Sequence, residues 1–197
     1  GDIITSTPDY IKKAADYVGM LKAGYGVYSC VGDHDNWAYR QDTKRSIREI
    51  TSALDKYNVN MISDSSIIIH VDNSDIGITF ITNTYVESVP EDILERLTKS
   101  NHTDLKILLT HQPKNEIIRN AEENNFDLFL AGHTHGGQIT LLFPFIQLTR
   151  TLVETTFIKG VRIYGNMMAI VTRGLGMSLA PIRYNSSPEI VIITLTK

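Results

Sequence analysis

Histidines 133 and 135 stand two residues apart in Gly132-His-Thr-His-Gly-Gly-Gln138. Glycine on both sides lets this loop turn tightly enough for both rings to face one point and for a ligand to approach closely. Imidazole is a ligand for zinc, iron and manganese-type ions. His111 follows the apolar run 105–109, and Asp33-His34-Asp35 follows the apolar run 25–31. Asp2 stands in Asp2-Ile-Ile-Thr5, which resembles the tail of a buried strand. Singly, each residue has a plainer account. His111 could cap a following helix, and Asp33 and Asp35 could bond their own backbone in a turn. Together they would be four unrelated accidents at strand ends. His70, on a strand-like run, and His102, in a polar loop, keep the plainer account as surface or satisfied residues. Carboxylate with imidazole and no thiolate suits two divalent ions (Mn, Fe, Zn or Mg) better than a structural zinc. Two such ions about 3.5–4 Å apart can hold a hydroxide and clamp both oxygens of a phosphoryl transfer.

Alternating strands and helices must position these residues. Thr7-Pro8-Asp9 starts a helix with apolar positions at Tyr10, Ile11, Ala14, Val18 and Leu21, ended by Gly24. A short strand 27–31 and a second helix with Ile47, Ile50, Leu54 and Tyr57 on one face follow. Runs 67–71 and 76–82 flank Asp72-Asn-Ser-Asp75 as a hairpin. Pro90 opens a third helix, 105–109 is a strand, Ile117, Ile118 and Ala121 mark a fourth helix, and 127–131 is a strand. Strands at 168–172 and 190–195 close the chain. This order predicts an α/β domain, in which sites collect beyond the carboxyl ends of strands.

At 197 residues the chain fits one domain, with 42% hydrophobic and 21% charged residues as in ordinary globular proteins. The net charge of −3 gives no basic excess for a nucleic-acid backbone. The single cysteine, Cys30, excludes an internal disulfide and a thiolate cage, and its apolar surroundings predict a buried thiol. No run approaches the roughly 18 apolar residues of a membrane span.

In order and spacing, Gly1-Asp2, Gly32-Asp-His-Asp35, His111 and Gly132-His-Thr-His135 resemble the strand-end blocks of the calcineurin-like metallophosphoesterases. The resemblance covers essentially the whole chain. It implies a layered α/β/β/α sandwich and a binuclear centre whose bridging hydroxide hydrolyses a phosphoester. Asp2 would bridge the metals, Asp33, His111 and His133 would bind the second metal, and His135 the first. His34 would act at the leaving oxygen, oriented by Asp35. The stretches 132–139, 172–176 and 187–190 resemble one branch, which includes bacterial cell-envelope phosphoesterases and a UDP-diacylglucosamine pyrophosphohydrolase of lipid A synthesis. That branch implies a bacterial cytoplasmic or envelope location, with membrane association.

Two departures from the family pattern stand out. Its first block, Asp-x-His, has no counterpart here, so the chain reads as a single domain truncated at its N-terminus with a depleted first metal site. Asp33 stands where the family has Asn, which predicts tighter metal binding and weaker phosphate binding, because Asp adds charge and only accepts. Arg173, between small residues, is expected to contact substrate phosphate or to pair with a carboxylate, and Gly136 and Gly137 are further substrate-contact candidates. Leu141, Leu142, Phe143 and Phe145 form an apolar stretch, either core or a lip toward a lipid substrate or membrane surface. The expected substrate is a small phosphoester or a lipid phosphate. A remnant that binds a metal or partner without catalysis, or a one-metal hydrolase, are the other readings.

Overall fold

The computed structural model describes every residue except 6, 100–102, 144–145, 179 and 197. It resolves into two compact units, Gly1–Gln112 and Pro113–Lys197. Both mix helices with strand pairs, and both parallel and antiparallel pairings occur, as the α/β expectation requires.

In the first unit, Thr7 accepts the Asp9 N–H ahead of a short turn, and α1 (Ile11–Val18) follows. The helix stops at Gly19, short of the expected Gly24, and there it packs against a tyrosine. A Cβ on Gly19 would stand 2.4 Å from the Tyr57 ring. Leu21 accordingly lies beyond the helix and is exposed. β1 (Val27–Cys30) pairs in parallel with β2 (Val59–Ile62), a strand the sequence pattern does not mark. Cys30 is buried and free, as its apolar surroundings predict. α2 (Thr43–Asp55) begins where the Asp42 carboxylate accepts the Arg45 N–H at 2.9 Å. Its Ile50 and Leu54 join Ile4, Ile11, Ala15, Ala38 and Val59 in one core. Full burial of each such Ile or Leu contributes about 1.5–3 kcal/mol.

β3 (Ser65–Val71) and β4 (Ser74–Ile81) form the expected hairpin with a tighter turn. Val71 pairs with Ser74, so only Asp72 and Asn73 make the turn, with Asp72 at φ +53. His70 lies exposed on β3 and bonds Asp75 across this hairpin at 2.6 Å. After α3 (Glu91–Lys99), β5 (Leu105–Thr110) runs parallel to β4, with Ile81 opposite Thr110. The carboxyl ends of β4 and β5 are therefore level, and they open on 82–85 and on His111. His102 lies outside the described residues.

The second unit contains α4 (Asn115–Glu123), β6 (Leu128–Ala131), the β7–β8 hairpin (Leu141–Phe143, Ile146–Leu148), β9 (Gly160–Tyr164) and β10 (Met167–Val171). β10 pairs in parallel with β6 and antiparallel with β9. Phe126, Phe129, Phe157, Ile118 and Met167 are fully buried here. Val171 pairs with Ala131, so Gly132-His133 and Thr172-Arg173 leave from adjacent strand ends.

Two expected strands do not form. Residues 2–5 are irregular, and Asp2 sits at φ +57, because the N–H groups of this stretch bond a carboxylate rather than a neighbouring strand. Residues 190–195 carry strand-like aliphatics but join no ladder among the described residues, and Ile190 and Ile192 are 76% and 88% exposed. Side-chain pattern alone does not make a strand; the backbone N–H and C=O groups need a partner edge.

Candidate metal centre

In the first unit, the turn after β1 brings Asp33 to the end of β5. His111 Nε2 lies 3.2 Å from Asp33 Oδ2 and 3.3 Å from Asp2 Oδ2. His111 and Asp33 are buried, and the Asp2 side chain keeps a small exposed fraction. Asp2 reaches this position because Gly32 carries no side chain. A Cβ there would lie 2.1 Å from Asp2 N and 2.3 Å from its Oδ1. Asp2 Oδ1 accepts the His34 N–H at 2.8 Å. Asp33 is fixed by the Tyr85 N–H at 2.6 Å and by the Gln112 amide at 2.9 and 3.0 Å. Neither Tyr85 nor Gln112 is legible as a site residue in the sequence.

Electrostatics tie the three groups together. Burial opposes charge on His111, but Asp2 and Asp33 outweigh it and raise its pKa to about 9. Burial likewise pushes the Asp2 carboxyl up, yet His111 and the His34 N–H hold it below its ordinary value. Two carboxylates converging on one buried imidazole call for positive charge at that point. That demand fits a divalent cation, with Asp2, Asp33 and His111 as donors of the types such ions take.

Asp35 departs from its expected role. Its carboxylate accepts four backbone N–H groups: Asp2 and Gly32 at 2.9 Å, Ile3 at 2.7 Å and Ile4 at 3.3 Å. It makes no hydrogen bond to His34, whose Nδ1 is buried without a hydrogen-bond partner among the described residues. The correction follows from valence, since these donors already use the oxygens that would hold the ring. Trp37 holds the imidazole instead, its ring edge-on to His34 at 5.2 Å and stacked parallel to Tyr85.

In the second unit, His133 and His135 both adopt left-handed backbone, at φ +66 and +50. Such conformations are uncommon outside glycine and collect at functional sites. The loop is stitched by Thr134, whose hydroxyl donates to Ile158 O at 2.6 Å. His135 Nδ1 lies 2.9 Å from Gly176 O and 3.3 Å from Arg183 Nη2. Arg183, unmarked in the sequence, holds this corner by donating to the carbonyls of His135, Arg173, Gly174, Gly176 and Ser186. His133 Nε2 meets Glu154 Oε2 at 2.9 Å.

The expected substrate contacts of this unit are engaged elsewhere. Arg173 donates through Nε and Nη2 to Glu189 at 2.8 and 2.5 Å. The N–H groups of Gly136 and Gly137 bond Thr134, and a Cβ on Gly136 would meet Arg173 Cγ at 2.4 Å. These glycines serve the turn and its packing rather than offering N–H groups to a phosphate. Leu141 is 47% exposed. The side chains of Leu142 and Phe143, and all of Phe145, lie outside what the structure describes.

The family model described as calcineurin-like phosphoesterase matches residues 1–137. The chain is 29% identical to the uncharacterized metallophosphoesterase YkoQ of Bacillus subtilis, over 96% of this chain and 70% of that protein. It is 28% identical to an uncharacterized metallophosphoesterase of Helicobacter pylori, over 99% of this chain and 49% of that protein. The phosphodiesterase YaeI of Escherichia coli is 33% identical over 46% of this chain and 32% of its own length. The chain thus spans about half of the Helicobacter relative. No solved structure matches it.

Proposed function

The chain belongs to the calcineurin-like phosphoesterases, a family of metal-dependent phosphoester hydrolases, and on that premise we propose that it hydrolyses a phosphodiester or pyrophosphate at a binuclear centre. The observation that carries the reading is the pair of carboxylates, Asp2 and Asp33, converging on buried His111. In this proposal, as the resemblance to the family's blocks implies, Asp33, His111 and His133 would hold one ion, His135 the other, and Asp2 would bridge the two. Bound ions would supply Lewis acidity and an activated water. The protein's own work is then to hold donors and to manage a proton. Tyr85 and Gln112 keep Asp33 in place through its oxygens. The His34 ring, set by Trp37, donates at the leaving oxygen.

The substrate in this reading is a lipid-linked or nucleotide–lipid phosphoester, as the family branch resembled at 132–139 implies. Exposed Leu141 supports an apolar lip there and peripheral contact with a membrane surface. Among the described residues no helix is long and apolar enough to cross a membrane.

Hydrolysis of bis-p-nitrophenyl phosphate by the full chain, with Mn²⁺ and with excess chelator, tests the activity. A vesicle-borne phosphodiester in the same assay tests the substrate class. The reading expects Mn²⁺-dependent turnover, faster on the vesicle-borne ester. Absence of turnover with every divalent ion tried would leave a non-catalytic binding protein. Equal rates on both esters would remove the lipid-linked substrate.

A further inference from the structure

Glu154 belongs to none of the family-like blocks, and its neighbourhood, Thr151-Leu-Val-Glu-Thr-Thr156, has no spacing that marks chemistry. The fold nevertheless puts its carboxylate on the Nε2 of His133 at 2.9 Å, across 21 residues of chain. The two side chains are 12% and 33% exposed, so this is a partly enclosed pair rather than a freely solvated one.

Both partners are anchored by bonds besides their own contact. On one side, Thr155, directly after Glu154, is buried and donates its hydroxyl to Pro113 O at 2.9 Å. Its oxygen also accepts the Phe157 N–H at 3.1 Å, and the Phe157 side chain is fully buried. On the other side, Thr134 ties the histidine loop to Ile158 O at 2.6 Å, four residues past Glu154. The segment that carries the carboxylate and the loop that carries the imidazole are therefore sewn together beside the contact.

The chemistry of the contact fixes the ring. A carboxylate only accepts, so Nε2 of His133 carries a proton, which in the neutral ring leaves the lone pair on Nδ1. His135 Nδ1, by contrast, lies between Gly176 O at 2.9 Å and Arg183 Nη2 at 3.3 Å. A ligand ring whose remote N–H is held by a carboxylate is oriented and made more basic.

We infer that Glu154 is the positioning residue of His133, selecting the tautomer in which Nδ1 faces the metal ion. The inference rests on the reading of His133 as a metal ligand under the proposed function.

Its test uses the full chain as wild type, Glu154→Gln and Glu154→Ala. Imidazole ¹⁵N spectra of the metal-free proteins report the tautomer, and titration with Mn²⁺ alone reports affinity. Wild type is expected to show His133 protonated at Nε2 and to bind Mn²⁺. Glu154→Ala is expected to show mixed tautomers and affinity lower by about 10–100-fold, the range for losing such a partner. Glu154→Gln keeps an accepting oxygen, so it should retain the Nε2–H tautomer and lose less affinity than the alanine variant. A merely structural residue would change the melting temperature without changing the tautomer. The inference is overturned if Glu154→Ala keeps both the wild-type tautomer and Mn²⁺ affinity within twofold. It is overturned as well if the alanine variant misfolds while Glu154→Gln shows a changed tautomer. Wild type that binds no divalent ion overturns the metal-site reading itself, and the inference with it.

Discussion

The His34 ring, the proposed acid at the leaving oxygen, is set by ring packing at its buried nitrogen. Its Nδ1 has no hydrogen-bond partner among the described residues, and the edge-on Trp37 ring is what restricts the imidazole. Positioned general acids contribute about 10²–10⁴-fold to a rate. Trp37→Ala is therefore expected to lower kcat at least about tenfold on a phosphodiester with a poor leaving group. Mn²⁺ affinity should change far less than kcat, since Trp37 packs on the rings of His34 and Tyr85 rather than bonding a donor carboxylate. A parallel fall in Mn²⁺ affinity, measured by titration, would instead place Trp37 in the ligand scaffold. The Asp35 carboxylate, next in sequence to His34, does quite different work. Which neighbour orients a side chain is decided by long-range geometry, as the 32-residue reach from Asp35 to the Ile3 N–H shows.

At the scale of elements, that carboxylate is what joins the opening stretch to the turn after β1. Four backbone donors depend on it. Each buried donor left unsatisfied costs about 1–3 kcal/mol, so Asp35→Ala should destabilise the protein by about 3–5 kcal/mol, read as a lower urea midpoint. A change below about 1 kcal/mol would mean the stretch re-pairs elsewhere. The Arg173–Glu189 pair braces the loop after β10 in the same way. Its hydrogen bond with Arg173 holds the Glu189 carboxyl below 4.5, its ordinary value, despite an opposing effect of burial. A depressed carboxylate contributes stability in full above its unfolded value and loses it as pH falls through the folded value. Wild type should therefore exceed Glu189→Gln in urea midpoint at pH 7, and the gap should close below about pH 4.5. A gap that is constant with pH would show the charge to be irrelevant.

Across the whole molecule, what was legible in the sequence were places where a short apolar run ends in Asp or His. Asp33 after β1, His111 after β5 and His133 after β6 all sit where that pattern puts them. Glycine signalled a tight turn here, and Gly136 and Gly137 do take positive φ beside His133 and His135. Glu154, Gln112 and Arg183 were illegible, since each acts on a partner distant in the chain and none stands in a local pattern. Residues 190–195 show the opposite failure, a convincing local pattern with no ladder to join. Composition spoke to neither. The candidate metal centre accordingly takes Asp33 and His111 from strand ends and Asp2 from an irregular stretch, with His111 between the two carboxylates.

The most direct measurement of that claim is equilibrium Mn²⁺ binding by the full chain and by His111→Ala, followed through the electron paramagnetic resonance signal of free Mn²⁺. The account predicts tight binding by wild type and an affinity loss in the variant larger than the about 10–100-fold that follows removal of a ligand's outer partner. His111→Ala that folds, by circular dichroism, and binds Mn²⁺ as wild type does would contradict it.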